Sequence, residues 1–236
     1  MKDNPNHIVA IVDYGLGNLF SVKRACEHVG LKGVITNSSE LISEASAVIL
    51  PGVGAFGDAM EHLERLDLIQ LLRDIALSGK PFIGICLGMQ LLMTESYEFG
   101  FHHGLDLIRG SVNKFEISMG QNGKKVKVPQ VGWNQIFSTQ WENTGVYETA
   151  DKKASSLAKW SGTLLDGLPE QEYMYFVHSY YTKPDDEGVI LSQSDYSNVR
   201  FCSSLQKGNI IATQFHPERS GPQGLKFYQN LYKMVS

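Results

Sequence analysis

Two short stretches hold residue types that could carry out covalent chemistry together. The first is GKPFIGICLGMQLLM, Gly79 to Met93, which sets Cys86 between a strand-like run and a helix-like run, with Gly84 and Gly88 on either side. A residue on a strand-to-helix corner sits at the carboxyl edge of a parallel sheet, where open α/β folds bind ligands. GICLG has the form of the G-x-S-x-G nucleophile corner with cysteine in place of serine, and Gly84 and Gly88 give the room such a turn needs. The helix N-terminus beyond the corner favours the thiolate, the reactive form of cysteine. The backbone N–H of Leu87 points into the same space, where it can serve an oxyanion. The bland alternative is a buried core thiol. Cys26, on the apolar face of a helix, and Cys202, within a strand, are read in that way.

A nucleophilic cysteine needs a base, and the second stretch, NIIATQFHPE, offers one. His216 ends an apolar strand and is followed by Pro217 and Glu218. Proline biases the residue before it to an extended backbone. In an extended backbone, residues two apart point the same way, so Glu218 can orient the imidazole and stabilise its charged form. A His-Pro-Glu taken alone reads as a loop with a surface carboxylate. It gains meaning beside Cys86, because the strand ends of a parallel sheet converge. His7, His28, His62, His102 and His103 read as solvated or capping, and His178 as core or site lining.

One glycine motif is a decoy. Gly52 to Gly57, GVGAFG, matches the G-x-G-x-x-G dinucleotide fingerprint, but Pro51 opens it and it follows the third strand of the chain, not the first. No strand-end acid for a ribose follows roughly twenty residues on. The expected use of this loop is different: backbone N–H groups at Val53 or Gly54 could pair with that of Leu87 around a developing oxyanion.

The elements that must position these groups follow from periodicity. HIVAIVDY, GVIT, ASAVILPG and PFIGIC read as strands, and LFSVKRACEHVG, DAMEHLERLDLIQLLRDIALSG and GMQLLMTESY as the helices among them. Strand and helix in alternation, with short connections, predict a parallel sheet covered on both faces. In the second half, LIRGSVNKFEI, KVPQVGWNQIF, EYMYFVHSYYTK, VILSQSDY, FCSSLQKG and NIIATQFH read as strands that extend the sheet and add an antiparallel layer. GPQGLKFYQNLYKMV reads as a closing helix. The fold class is therefore α/β: an open, mostly parallel central sheet flanked by helices, with an additional antiparallel layer. One domain over residues 1–236 is expected, with the polar, patternless residues 140–162 as a loop insertion.

Composition excludes several functions. The chain has 236 residues and a formal net charge of −4, with no basic run longer than a pair, so no nucleic-acid footprint is expected. No apolar run is long enough to cross a bilayer. Three cysteines, far apart and without a CxxC, argue for free thiols in a reducing compartment and against a metal site. A soluble, cytoplasmic protein without cofactor or metal is the expectation.

IVDYGLGNLFSVKRA, LPGVGAFGDAM, GICLGMQLL, VPQVGWN, YFVHSYY and QFHPERSG together resemble the class I (triad-type) glutamine amidotransferases, from Ile8 to Gly221. Within them, PGVGAFG with GWN and FVHSYY is most similar to the glutaminase subunits of imidazole glycerol phosphate synthase. The resemblance implies Cys86 as nucleophile, His216 as general base and acid, and Glu218 as its orienter. It further implies L-glutamine as substrate, held by Gln90, Glu98 and the backbone of Gly54, Ser179 and Tyr180. The ammonia would pass to a separate (β/α)8 cyclase subunit in a heterodimer, with Asn18, Tyr175 and Arg219 as candidate partner-facing residues. Residues 140–162 are longer than that branch leads one to expect. Ammonia supply for nucleotide-sugar or surface-polysaccharide amidation therefore stays open, as does, more remotely, a stand-alone cysteine hydrolase.

Overall fold

The computed structural model describes residues 8–116, 127–139 and 159–236. Five strands form its parallel block: β1 (Ile8–Val12), β2 (Lys32–Thr36), β3 (Ala47–Gly52), β4 (Phe82–Cys86) and, from the far end of the chain, β13 (Ile210–Thr213), in the order β2-β1-β3-β4-β13. The sheet continues antiparallel through β12 (Val199–Lys207), β11 (Ile190–Tyr196), β8 (Gln130–Ser138) and β9 (Glu172–His178), making nine strands. A second sheet of four strands has the order β10 (Tyr180–Pro184), β7 (Ile108–Lys114), β5 (Met93–Ser96) and β6 (His102–His103). The expected α/β class holds, a mixed sheet between helices, but the added layer is itself mixed: β10–β7 and β5–β6 pair antiparallel and β5–β7 parallel.

Side-chain alternation along the parallel strands explains why both faces are covered. Val9 and Ile11 of β1 enter one core, while Ala10 and Val12 enter the other. Ala47 and Ile49 of β3 join the first, and Val48 and Leu50 the second. On the first face lie α1 (Leu19–His28) and the closing helix α6 (Gly221–Val235), which bury Val22, Cys26, Phe227 and Leu231 there. On the second face lie α2 (Ser39–Glu44), α3 (Phe56–Arg65) and α4 (Leu68–Leu77), with Phe56, Leu63 and Leu72 fully buried. Strands apolar on both faces are what a parallel sheet between two helix layers requires.

Three expected elements divide where the sequence reads as continuous. DAMEHLERLDLIQLLRDIALSG is two helices, α3 and α4, because Asp67 takes a left-handed conformation at φ 54° and breaks the ladder. In GMQLLMTESY the helix is only α5 (Leu87–Leu91), and Met93–Ser96 is a strand between β7 and β6. EYMYFVHSYYTK breaks at Ser179, so that β9 belongs to the large sheet and β10 to the small one. Of the expected insertion at 140–162, residues 140–158 lie outside the described residues. Trp160, just beyond them, is buried and donates its indole N–H to the Leu191 carbonyl.

Candidate active site

Cys86 ends β4 and directly precedes α5 (Leu87–Leu91). Its backbone lies at φ 55°, ψ −108°, a conformation that L-residues avoid and that stores on the order of 1–3 kcal/mol. The corner is tight enough to dictate its neighbours. A Cβ on Gly88 would stand 1.8 Å from the Leu50 carbonyl oxygen, and one on Gly84 would stand 2.9 Å from that of Gly88. In both cases the atom met belongs to the backbone, so neither contact can relax by moving a neighbouring side chain. The two glycines let α5 press against β3 and β4, and that pressing holds the thiol at the sheet edge.

Strand order brings His216 alongside. β13 pairs parallel with β4, Thr213 beside Ile85, so the chain leaving β13 passes the corner that leaves β4. His216 is extended, and Pro217–Arg219 then forms a 3-10 turn. His216 Nδ1 and Glu218 Oε1 meet at 2.8 Å, with side-chain exposures of 3 % and 1 %. This pairing arises through the turn, not along a continuous extended run as the spacing suggests. Burial alone would lower the pKa of His216, but the Cys86 sulfur and the Glu218 carboxylate both favour the imidazolium and push it up to about 10. Nε2, the ring nitrogen that Glu218 leaves free, is buried and makes no closed hydrogen bond within the described residues.

The thiol opens into a cavity of about 250 Å3. It is lined by Val53, Gly54, Cys86, Leu87, Gln90, Glu98, Ser179 and Tyr180. All eight carry a sequence-derived assignment, and four separate segments bring them together. Gln90 donates through Nε2 to the Tyr180 carbonyl at 2.9 Å. Glu98 is 8 % exposed, and its Oε2 accepts from the Phe56 N–H at 2.6 Å, at the start of α3. Burial raises its pKa, and the Phe56 hydrogen bond opposes that shift. The break at Ser179 exposes backbone to the cavity between the two sheets. A volume just under the roughly 300–1,000 Å3 of drug-sized sites suits a small amino acid.

Four neighbours escape sequence reading. Gln214 bridges the site: it donates to Cys86 Sγ at 3.7 Å and accepts from Gln90 Nε2 at 3.1 Å. It lies inside QFHPE, but nothing in its type distinguishes it from a surface glutamine. Tyr14 is buried under the glycine loop and donates to the Pro51 carbonyl at 2.8 Å. Pro129 and Val177 line the cavity with apolar surface.

The candidate partner-facing residues fall into two places. Arg219 lies over the Tyr175 ring at 4.3 Å, and Tyr175 meets Trp133 edge-on. Trp133, 56 % exposed, stands beside Val131 and Tyr173, which are also exposed, on the outermost strand pair. This apolar patch is a surface that sequence reasoning does not single out. Asn18 caps the start of α1, a helix that packs against the Pro217–Arg219 turn. Among the described residues, no cluster of ligating side chains could hold a metal, and no helix is long and apolar enough to cross a membrane.

Comparisons with known proteins bear on the chain as a whole. The family model "Glutamine amidotransferase class-I" matches residues 10–234. The "Imidazole glycerol phosphate synthase subunit HisH" of Aquifex aeolicus (strain VF5) is 43 % identical, over 93 % of each chain. The subunit of the same name from Geobacter sulfurreducens is 41 % identical, over 96 % of this chain and 98 % of its own. Among solved structures, PurLQS from Thermotoga maritima aligns over 98 % of this chain and all of the matched chain, with a TM-score of 0.67 at 16 % identity. That likeness bears on the fold.

Proposed function

The chain belongs to the class-I glutamine amidotransferases, and from that membership we propose that it is the glutaminase subunit of an imidazole glycerol phosphate synthase. The observation that carries the reading is the strained Cys86 corner, which opens on a cavity shared with Gln90 and Glu98 beside the buried His216–Glu218 pair. The Cys86 thiolate attacks the side-chain carboxamide carbon of L-glutamine, forming a C–S bond and a tetrahedral oxyanion. Backbone N–H groups of Leu87 and of Val53 or Gly54 receive that oxyanion. The His216 imidazolium gives its proton to the leaving nitrogen, the C–N bond breaks, and ammonia departs from a γ-glutamyl thioester. Neutral His216 then takes a proton from water as the water attacks the thioester, and glutamate leaves with the thiolate restored. Glu218 holds the ring and its charge throughout. Glu98 receives the substrate's α-ammonium group, and the backbone around Ser179 and Tyr180 its carboxylate.

The ammonia passes to a (β/α)8 cyclase subunit bound in a heterodimer. The docking surface is the exposed patch of Trp133, Tyr175 and Arg219 on β8, β9 and the turn after His216, extended by Asn18 at α1. Free ammonia at neutral pH is mostly ammonium, a poor nucleophile, so hydrolysis without an acceptor wastes glutamine. Low activity of the isolated chain and strong activation by the partner with its ligand follow, with the Gly52–Gly57 loop as the place of control. Steady-state glutamine hydrolysis with and without partner and ligand tests the coupling; full activity from the chain alone would favour a stand-alone hydrolase. Cys86→Ala should abolish glutamine use while the partner still accepts added ammonium salts. Glutamine-dependent turnover by that variant would overturn the mechanism.

A further inference from the structure

The cavity at Cys86 has a larger neighbour. An open cavity of about 790 Å3 lies between α3 and the loop that joins β5 to β6. Glu98 lines both cavities, and the adjacent residues Gly54 and Ala55 line one each. The two cavities therefore meet at Glu98 and at the Gly54–Ala55 backbone. Phe99 lines the larger cavity and Tyr180 the smaller, and their rings meet edge-on at 6.5 Å. Phe99 is also in a left-handed conformation, φ 53°, next to Gly100 at φ 141°, and the residue is 84 % exposed. A strained residue that presents an aromatic ring to water at the seam of two cavities is costly to keep for structural reasons alone.

The docking patch of Trp133, Tyr175 and Arg219 sits on β8, β9 and the His216 turn, whereas the larger cavity is built from α3, α4 and the β5–β6 loop. A partner that seals ammonia from water at the first face also closes that face to glutamine. Each turnover still needs one amino acid in and one out. Resting on the function proposed above, we infer that the 790 Å3 cavity is the vestibule through which a zwitterionic α-amino acid reaches and leaves Cys86 while the partner stays docked. Asp58, Glu61 and Glu64 line it and favour the α-ammonium group, and Glu98, common to both cavities, takes over that group where they meet. The Arg73 guanidinium, also in the lining, is held through Nε and one terminal nitrogen by the carbonyls of Leu105 and Gly104, which weakens its hold on the carboxylate. Weak holding is what an entrance requires.

The test is the rate at which the chloroketone analogue of glutamine alkylates Cys86 in the partner-bound protein. Alkylation should persist when the partner is bound, and Glu61→Trp, on the exposed side of α3, should slow it about tenfold by narrowing the approach. Glu64→Trp, nearly one turn further along the same helix, should act in the same direction. Ammonium-dependent turnover of the complex should stay unchanged in both variants, which reports an intact fold and interface. Loss of alkylation on partner binding, or rates within about twofold of the parent in both variants, would overturn the vestibule. Failure of the free parent chain to be alkylated at Cys86 would instead overturn the glutaminase reading, and the vestibule with it.

Discussion

Two buried histidines end neighbouring parts of this fold and behave in opposite ways. His178, the last residue of β9, is packed among the rings of Phe115, Phe176 and Phe201. Burial drives its pKa down to about 4, against a hydrogen bond to the Tyr180 carbonyl, and the charge of His216 adds to the fall. His216 suffers the same penalty of burial, yet Cys86 and Glu218 reverse it. The difference teaches that burial by itself does not decide a histidine's charge. The groups around the ring do: the Glu218 carboxylate on Nδ1 and the Cys86 sulfur nearby keep His216 charged where burial alone would neutralise it.

The hardest test of this contrast removes the reacting pair. His216→Ala should reduce glutamine hydrolysis nearly as much as Cys86→Ala, by about 10⁴-fold or more, because residues acting as a unit are non-additive. The double variant, assayed for glutamate release in the presence of partner, should be no worse than either alone. Glu218→Gln should be milder, about 10²-fold in kcat, since thiol and imidazole remain in place. Equal and complete loss would mean that Glu218 does more than orient the ring. His178→Phe should leave kcat within about threefold and lower stability by about 1 kcal/mol through the lost hydrogen bond, as measured by denaturant unfolding. A loss comparable to that of His216→Ala would erase the distinction between the two residues.

The smallest effect is in the pH dependence of stability, and it has opposite signs at the two sites. Between about 6.5 and about 4 the unfolded chain protonates the residue at 178 and the folded chain does not, so this contribution is lost as pH falls through that window. At His216 the folded chain keeps a proton that the unfolded chain gives up, so stability is lost as pH rises from about 6.5 toward about 10. In thermal unfolding against pH, His178→Phe should flatten the acid limb alone, and Glu218→Gln should flatten the alkaline limb in part, since Cys86 still favours the imidazolium.

Much of the site is legible in the chain because its chemistry depends on short-range order. Cys86 with its two glycines, and His216 with Pro217 and Glu218, are each contained within a few residues, where the backbone dictates geometry. Elements were legible where they run long and periodic, as in α6, whose bounds the pattern gives to the residue. The breaks at Asp67, Leu91 and Ser179 were not, since each interrupts a run whose local preference continues on both sides. Leu92 and Met93 read as helix until the pairing of Met93–Ser96 with β6 and β7 makes them otherwise.

The sequence alone therefore determined which thiol, imidazole and carboxylate could react together, the strand-to-helix corner and the alternation that sets a parallel sheet between helices, all of which are written in residue type and spacing of a few positions. The tertiary structure alone decided what surrounds them. Gln214 becomes a bridge between Cys86 and Gln90 only because β13 lies against β4, and two histidines of one chemical type diverge only because one meets aromatic rings and the other a carboxylate and a thiol. Those neighbours come from positions far apart in the chain, and a long-range contact leaves no mark on the local pattern that sequence reading depends on.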